Sequence, residues 1–407
     1  MRTPTYPGRV KDASDWLRER ASGVLAAPAQ TALVGWLERR LAACTATVGT
    51  APNGRYPVLD RLLETSRAAW RAGCAGFVER VARDLAGVGV AEVTCLTGEL
   101  AAWPVLRVGC EDGRALVYRD RDLRVATWFM GLCSALSEGL PAALHVRRIV
   151  AFQSHAWDLV VERAPCPQEA VERFFLRVGA LQRLLERLRA TDMHARNLVA
   201  AADHPVLIDL EGLLQPVELG PMPTGLLPFV AVGEPGRPGP NVGGIHLGGR
   251  IVLPFPPHIV EEVAPTVPAN PLDHLDAILE GYHAMDVRLT RFAALGARLA
   301  EARALPVRVL LRSGSTYRAV LRECLAPELL HDPATRDRVM VERLAAAGPP
   351  PLPEELVALR EHRVPHLTAP AGPHHLGIPA DPDRVRRAMP LVLEPRGLDE
   401  SSSRSKP

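Results

Sequence analysis

A short polar segment, Thr191–Asn197, carries the residues best suited to chemistry in this sequence. Asp192 and Asn197 stand five positions apart in it, and the apolar run 205–208 then leads to Asp209, twelve positions after Asn197. In phosphotransferases of the kinase type, an Asp on a loop orients or deprotonates the attacking hydroxyl, and an Asn five residues later holds a metal ion. A second Asp, at the end of the following strand, bridges the metal ions to the nucleotide phosphates. The spacing therefore predicts a phosphoryl-transfer site.

Glu211 extends this acidic set. It follows Asp209 by two positions, so on an extended segment both side chains point to the same side and the second carboxylate can join the metal ligands. A structural interpretation stays open. In it, Asp192 and His194 end a helix and form a turn, and the two later carboxylates form a solvated strand end. For His194, packing behind the loop and contact with the transferred phosphoryl group are equally compatible with the sequence.

The elements before this segment are first helical and then extended. Apolar residues recur at helical spacing from Leu33 to Leu41 and from Leu62 to Leu85, and Pro52, Asn53, Gly54 and Pro57 separate the two stretches. Two apolar runs, 105–108 and 115–118, flank Asp112-Gly113, which is a strong hairpin signal. A second pair of strands is predicted at 149–152 and 157–162, after a helix over 123–136.

The elements that follow frame the polar segment directly. A core helix is predicted over 168–189 and a strand over 206–210. The sequence further predicts a Gly/Pro-rich loop (233–249), a helix at 272–304, a strand at 307–311 and, after that strand, a helix up to Leu321. A last helix is predicted at 353–362 and a disordered tail at 401–407.

Composition excludes several classes of protein. The 407 residues are 47% hydrophobic and 23% charged with a net charge of +2, which fits a folded chain with a sizeable core and offers no electrostatic case for nucleic acid. No apolar run is long enough for a membrane span, and the N-terminus lacks a secretory signal. Seven cysteines without a CxxC pair predict reduced, mostly buried thiols in a cytoplasmic protein, and disfavour a zinc site.

Lysine is nearly absent. Of 48 basic residues only Lys11 and Lys406 are lysines, and both lie near the ends of the chain. A reaction that depends on a lysine inside the fold is therefore not expected.

The segment Asp192-Met-His194-Ala-Arg-Asn197, followed by Asp209-Leu-Glu211, closely resembles the dehydratase domain of class II lanthipeptide synthetases. The hairpin that leads to Tyr118-Arg119-Asp-Arg121 is similar to the one that precedes Tyr-Lys-Pro-Arg in that family. Further similar segments occur in the same order: His155-Ala-Trp157 with Glu162, Thr224–Pro228, Asn270-Pro271, Gly281-Tyr282, Arg308–Arg312 with Tyr317, and Arg360–Pro365. The similarity extends over Pro57–Leu376.

The resemblance implies an α+β class: a two-lobed lipid-kinase/protein-kinase-like fold with an N-terminal helical extension. We expect a helical N-terminal region at 1–90, a β-rich N-lobe-like part at 91–165, a helical C-lobe-like part at 166–376 and a tail at 377–407. No glycine-rich phosphate loop is expected.

The resemblance also implies the activity: ATP and Mg²⁺ serve to phosphorylate Ser and Thr of a ribosomally synthesised precursor peptide, and phosphate is then eliminated to give dehydroamino acids. The implied catalytic residues are Asp192, His194, Arg308, Arg312 and Tyr317, with Arg308 serving elimination. The implied cofactor-binding residues are Arg119, Arg121, Asn197, Asp209 and Glu211, the last three as metal ligands.

Three positions depart from the family pattern. Arg119 stands where the family has the lysine of Tyr-Lys-Pro-Arg, and an arginine keeps the charge but does not readily lose a proton. Gly314 stands where the family has a threonine that serves elimination, with Ser315 and Thr316 as neighbouring candidates. Gly212 replaces the Thr that follows Asp-Leu-Glu. We therefore expect phosphorylation to be faster than elimination.

Partners follow from the same comparison. The chain ends where the family's cyclase domain would begin and has none of its zinc ligands, so we expect it to form no lanthionine rings. The expected partners are a precursor peptide and a separate cyclase or other peptide-modifying enzyme, with no nucleic acid and no membrane. Two alternatives stay open: a pseudo-kinase that binds the leader peptide or a nucleotide as an accessory protein, and a kinase that acts on a small molecule.

Overall fold

The computed structural model describes residues 7–48, 55–216, 223–227, 243–245, 249–252, 260–263, 269–371 and 380–388. The helices are α1 (Pro7–Arg20), α2 (Ala27–Thr45), α3 (Pro57–Asp84), α4 (Arg124–Ser137), α5 (Val171–Arg187), α6 (Leu275–Arg291), α7 (Leu295–Ala302), α8 (Gly314–Glu323), α9 (Pro333–Ala346), α10 (Pro353–Arg360) and α11 (Pro382–Ala388). The strands are β1 (Val90–Cys95), β2 (Leu106–Cys110), β3 (Ala115–Arg119), β4 (Ile149–Ala151), β5 (Ala156–Leu159), β6 (Leu198–Ala201), β7 (His204–Leu207), β8 (Gly249–Val252), β9 (Val260–Val263), β10 (Pro306–Val309) and β11 (Leu367–Pro370). The predicted α+β class is confirmed.

The chain divides into two compact units that interleave along the sequence. Unit 1 takes the residues up to Thr127, then Arg147–Val160 and Val309–Thr368. Unit 2 takes Trp128–Val146, Val161–Arg308 and the residues from Ala369 onward. The segment 309–368, expected in the C-lobe-like part, therefore belongs with the N-terminal helices and the sheet.

Unit 1 is built on an antiparallel sheet with the strand order β1-β2-β3-β5-β4. Its main core gathers apolar faces of α1, α2 and α3 and of the first three strands, with fully buried Trp36, Trp70, Phe77 and Tyr118 at its centre. A second cluster joins α8, α9 and α10 through Tyr317, Met340 and Leu359. The long apolar stripes seen in the sequence are thus core faces.

Unit 2 is organised by the packing of α5 against α6. Gly281 allows this close approach, because a Cβ there would stand 1.9 Å from the carbonyl oxygen of Leu176. Helix α5 has buried residues on all sides, including Arg177, Gln182, Arg183 and Glu186. The hairpin β6–β7 follows α5 in the chain and pairs antiparallel from Leu198↔Leu207 to Ala201↔His204.

Most predicted elements are confirmed. The two predicted strand pairs form β2–β3 and β4–β5, and the helices at 33–41, 62–85, 123–136, 168–189 and 353–362 are present with shifted ends. The break residues 52–54, the tail at 401–407 and most of the Gly/Pro-rich loop at 233–249 lie outside the described residues. No helix in the described ranges combines the length and apolarity that crossing a membrane requires.

Several local predictions were wrong. Helix α1 lies within the predicted helical N-terminal region, but its own bounds were not predicted, although Pro7 at its start fits the first turn of a helix. Strand β6 was missed. The helix predicted over 272–304 is interrupted at Phe292, whose backbone is extended. The strand predicted over 307–311 ends at Val309, because Ser313 caps α8 by accepting a hydrogen bond from the Thr316 amide.

The cysteines are thiols, as expected. All seven are free and six of them are buried. Burial raises the pKa of Cys44 to about 11 and that of Cys324 to about 11, so these thiols are protonated and unreactive at neutral pH.

Candidate active site

The loop after α5 presents Asp192 in a strained conformation. Its φ of 68° lies in the left-handed region, which an Asp tolerates better than most residues. Both neighbours of Asp192 are tied down: the Thr191 amide donates to the Gly212 carbonyl at 2.9 Å, and the Met193 amide donates to the Thr224 carbonyl at 2.9 Å. The surrounding backbone therefore fixes the direction of the Asp192 side chain.

Asn197 and His194 both contact Asp192. The Asn197 amide nitrogen donates to the Asp192 carbonyl oxygen at 2.8 Å, and the His194 Nε2 lies 3.4 Å from the Asp192 carboxylate. The backbone amide of Arg196 donates to His194 Nδ1 at 3.2 Å, so the neutral ring carries its proton on Nε2, facing the carboxylate. The His194 ring is partly exposed beside Asp192.

The hairpin β6–β7 explains the spacing of twelve residues between Asn197 and Asp209. Its register pairs Leu198 with Leu207, and the Ile208 amide donates to the Asn197 carbonyl at 2.9 Å. The chain therefore returns to the start of the hairpin just before Asp209. Asp209 stands two residues after the end of β7, not at the end of a strand that reaches Leu210 as predicted.

The segment after β7 folds back so that Glu211 becomes buried. The Asp209 Oδ1 accepts a hydrogen bond from the Glu211 amide at 3.2 Å, which closes a turn. The Glu211 side chain is 5% exposed and its carboxylate lies 3.5 Å from the guanidinium of Arg308. The expected cation of the elimination motif thus neighbours the expected metal ligands.

Gly212 is a steric requirement of this site. A Cβ at Gly212 would stand 2.2 Å from the carbonyl oxygen of Thr191, which is backbone and cannot move aside without displacing the Asp192 loop. The threonine found here in the resembling family would therefore not fit. This departure from the pattern follows from the close contact between the segments 191–192 and 211–212.

The carboxylates of Asp209 and Glu211 act electrostatically on Asp192. Burial raises the pKa of Asp192 above its ordinary value, the His194 ring lowers it, and the Asp209 carboxylate raises it again. Arg308 lowers the same pKa and Glu211 raises it, each to a smaller extent. A concentration of negative charge of this kind favours binding of a cation.

The oxygen donors fit Mg²⁺. Since the Asn197 amide nitrogen is engaged with the Asp192 carbonyl, its Oδ1 is the atom left to act as a ligand. Together with the Asp209 and Glu211 carboxylates it supplies hard oxygen donors, and Mg²⁺ commonly takes one or two carboxylates and completes its shell with water and phosphate. In the described part of the chain, no group of three or more His, Cys, Asp and Glu side chains is arranged to hold a metal ion. A magnesium ion here would therefore also need the Asn197 amide oxygen and oxygens from a bound ligand.

Arg119 and Arg121 lie in unit 1. The Arg119 side chain, at the end of β3, is 11% exposed and lies 3.5 Å from the buried carboxylate of Asp158 on β5. Arg147 pairs with the same carboxylate. Arg121 follows two residues after β3 and is half-buried.

Arg312 and Tyr317 occupy a structural position in unit 1. The Arg312 and Glu355 side chains pair and are each 0% exposed, and the Tyr317 hydroxyl donates to the same Glu355 at 2.5 Å. Arg312 also donates to the carbonyl oxygens of Leu344 and Pro349. These contacts tie α8 to α9 and α10. Arg308 and Arg312, both expected to be catalytic, do not lie on one strand, because β10 ends between them at Val309.

Sequence reasoning missed a buried set of hydrogen bonds next to the loop, from Gln182 to Glu186 and from Thr224 to Gln182. Thr224 was noted only as part of a similar segment, and Gln182 and Glu186 were not noted. No local signal distinguished Gln182 and Glu186, because five further charged residues lie on the same helix.

Taken together, unit 2 places Asp192, His194, Asn197, Asp209, Glu211 and Arg308 around a single loop and hairpin. The chain belongs to the family described as "Domain of unknown function (DUF4135)", whose profile matches residues 56–234 and 256–369. That family is associated with lanthipeptide synthetase-like proteins. Comparison with the curated proteins finds no match.

Proposed function

We propose that this protein is an ATP- and Mg²⁺-dependent phosphotransferase that phosphorylates Ser and Thr in a ribosomally synthesised precursor peptide, on a two-lobed kinase-like fold. One observation carries the proposal: the hairpin β6–β7 returns the chain to Asn197, which is bonded to Asp192, just before Asp209 and Glu211, and both of these carboxylates act on Asp192. The anchored Asn197 and the resemblance to lanthipeptide dehydratase domains support it.

Each residue would then have a definite task. Asn197, Asp209 and Glu211 would hold Mg²⁺, which when bound neutralises the charge on the β- and γ-phosphates of ATP. Asp192 would orient the attacking hydroxyl and accept its proton, and its raised pKa suits a group that takes up a proton during the reaction. His194, with its Nε2–H facing Asp192, would hold that carboxylate in position.

Elimination of phosphate would follow at the same site if it occurs. Arg308 is the cation that neighbours the acidic cluster, and a guanidinium can hold the departing phosphate through two hydrogen bonds. Arg312 and Tyr317 would contribute only indirectly, by fixing the start of α8, because both are buried and bonded to Glu355.

A pseudo-kinase is the second candidate, and the Arg119 pair favours it. The residue at the family's lysine position is buried against Asp158, and an arginine cannot serve as the compact, titratable ammonium found there. In this case the protein would bind nucleotide without transferring phosphate.

Two measurements on matched variants test the proposal. Binding of MgATP is followed by calorimetry, and formation of ADP and of phosphorylated product is followed with a library of Ser/Thr-containing peptides and with small-molecule alcohols as acceptors. Asp209→Asn should abolish transfer, since it removes a carboxylate that would hold Mg²⁺. The control is Asp273→Asn, which changes an exposed acidic residue in the 3₁₀ turn Pro271–His274 and should match the wild type in both assays.

Undiminished ADP formation by Asp209→Asn in the presence of an acceptor would contradict the proposal. MgATP binding without transfer to any acceptor would favour the pseudo-kinase, and transfer only to small alcohols would favour a small-molecule kinase.

A further inference from the structure

A chain of buried hydrogen bonds begins at Glu186 on α5. Its side chain is 2% exposed, and each carboxylate oxygen has a partner: Oε2 accepts from the Tyr282 hydroxyl at 2.5 Å, and Oε1 accepts from the Gln182 amide nitrogen at 2.8 Å. A buried carboxylate is tolerated only when such donors satisfy it. Glu186 is therefore held between α5 and α6.

The negative charge of Glu186 sets the direction of the next bonds. Because the Gln182 NH₂ group must face the carboxylate, its carbonyl oxygen points away from it and can only accept. That oxygen accepts from the Thr224 hydroxyl at 2.8 Å. The Glu186 carboxylate thus determines the orientation of the Thr224 side chain through Gln182.

Residues 223 and 224 hold both neighbours of Asp192. The Thr224 carbonyl accepts from the Met193 amide at 2.9 Å, and the Pro223 carbonyl accepts from the Thr191 hydroxyl at 2.9 Å. Asp192 itself has a left-handed backbone, a conformation that persists only where the surroundings impose it. The hydrogen bonds that run from Glu186 through Gln182 to Thr224 supply that constraint.

Tyr282 anchors the other end of the chain of bonds. Its hydroxyl accepts from the Asp381 amide at 2.9 Å, just before α11, while donating to Glu186. Burial and the hydrogen bond to Glu186 raise the pKa of Tyr282, so the hydroxyl remains a proton donor at neutral pH. Gly281, through its close approach to α5, brings Tyr282 within reach of Glu186.

We infer that Glu186 is a positioning residue for Asp192, acting through Gln182 and Thr224 on the backbone of the Asp192 loop. The effect of Glu186 on catalysis rests on the proposed function, whereas the effect of Glu186 on the conformation of the Asp192 loop does not.

The test combines hydrogen exchange with kinetics in the full-length protein. Thr224→Val removes the hydroxyl, Thr224→Ser keeps it, and Glu186→Gln removes the charge that orients Gln182. Thr290→Val removes a hydroxyl from an exposed position on α6 and serves as the control. The readouts are the exchange rate of the Met193 amide, the exchange of Met285 in the buried face of α6 as a report on folding, and the kcat and KM for ATP.

Thr224→Val and Glu186→Gln should speed exchange at Met193 on the order of 10-fold, the effect of losing about one hydrogen bond's constraint. Exchange at Met285 should stay unchanged, and Thr224→Ser should restore the rate at Met193. The kcat should fall as exchange speeds up in these variants while the KM for ATP stays constant, because the loop and not the nucleotide site is disturbed.

Unchanged exchange at Met193 in both variants would overturn the inference, and so would equal exchange in Thr224→Ser and Thr224→Val. Faster exchange at Met193 in a protein that transfers no phosphate would uphold the positioning of the loop and refute the proposed function, so the two failures are distinguishable.

Discussion

The guanidinium of Arg308 lies 3.5 Å from the carboxylate of Glu211, which joins the cation of the expected elimination motif to the acidic site. The Glu211 side chain is buried, whereas 20% of the Arg308 side chain remains exposed. The pair therefore stabilises a buried carboxylate and leaves the guanidinium accessible to an anion. Residues proposed for the two half-reactions, phosphorylation and elimination of phosphate, thus lie near one another within unit 2.

Replacement of Arg308 should separate these half-reactions. Arg308→Gln should slow elimination by about 10²-fold or more, the usual effect of removing one donor to a developing negative charge. Phosphorylation should be retained, because Asp192 and Asp209 are unchanged. Mass spectrometry of a phosphorylated peptide incubated with the variant measures the step directly. Arg298→Gln, which removes an exposed arginine paired with Glu301, is the control. Loss of both half-reactions in Arg308→Gln would instead mean that Arg308 holds Glu211 in place for the metal.

Asp192→Asn should lower the rate of phosphotransfer by ~10²-fold or more, in the range of general acid–base effects. The substitution is well suited to this position, since Asn also tolerates the left-handed backbone of residue 192. Nucleotide affinity should barely change. The measurement is kcat alongside the Kd for MgATP, and a parallel fall of both kcat and affinity would show that Asp192 has a turn-forming role only.

The stability of the hairpin β6–β7, which lies between Asn197 and Asp209, should depend on pH through Asp203. Burial opposes ionisation of Asp203, but hydrogen bonds from Arg177 and Arg173 outweigh it and lower its pKa to about 2. A carboxyl group whose pKa is depressed by folding stabilises the fold above its unfolded pKa and loses this contribution as the pH falls toward the folded value. Asp203→Asn should therefore lower the free energy of unfolding by about 2 kcal/mol at pH 7.

The pH profile distinguishes this ionic effect from a packing effect. The difference between wild type and Asp203→Asn should persist from pH 7 to about 4 and shrink from there toward pH 2. Urea unfolding at a series of pH values measures it. Asp383→Asn, which removes an exposed helical pair with Arg386, should show no comparable loss. A difference that stays constant down to pH 2 would contradict the assignment.

The sequence predicted that Asp192, Asn197 and Asp209 lie near one another, but it predicted the surrounding contacts less well. Asp192, Asn197 and Asp209 were found from spacing, because a hairpin of fixed length imposes a fixed separation. Strand β6 was nevertheless missed, since its four residues are too short for a periodic signal. The strand predicted over 307–311 was too long, because β10 ends at Val309 and Ser313 already caps the next helix.

Contacts between distant segments could not be predicted from the sequence. Nothing local to Gly212 shows that the Thr191 carbonyl would leave no room for a Cβ, and nothing local to Tyr317 shows that Glu355 would be its partner. Interleaving of the units has the same origin: the segment 309–368 packs with residues far earlier in the chain. Such contacts depend on tertiary packing, which overrides local propensity.

The last prediction concerns Gly314, where the resembling family has a threonine that serves elimination. Gly314 begins α8, its backbone is outside the left-handed region, and a Cβ added there would have the Arg318 guanidinium nitrogen as its nearest neighbour, at 4.0 Å. A threonine therefore fits without strain. The neighbouring hydroxyl of Thr316 lies 2.9 Å from Ser313 Oγ, within the cap of α8, so it is already engaged.

We expect the wild-type protein to accumulate phosphopeptide, about 80 Da heavier per site, and Gly314→Thr to raise the yield of dehydrated peptide, about 18 Da lighter per site. The reason is that the introduced hydroxyl supplies the group that the family uses and this chain lacks. Gly314→Ala is the matched control, because it adds a Cβ and favours the helix without adding a hydroxyl. Mass spectrometry of the peptide during incubation with MgATP measures both products. An equal gain in Gly314→Ala would assign the effect to the helix, and complete dehydration by the wild type without a phosphorylated intermediate would show that another residue already performs the role of the missing threonine.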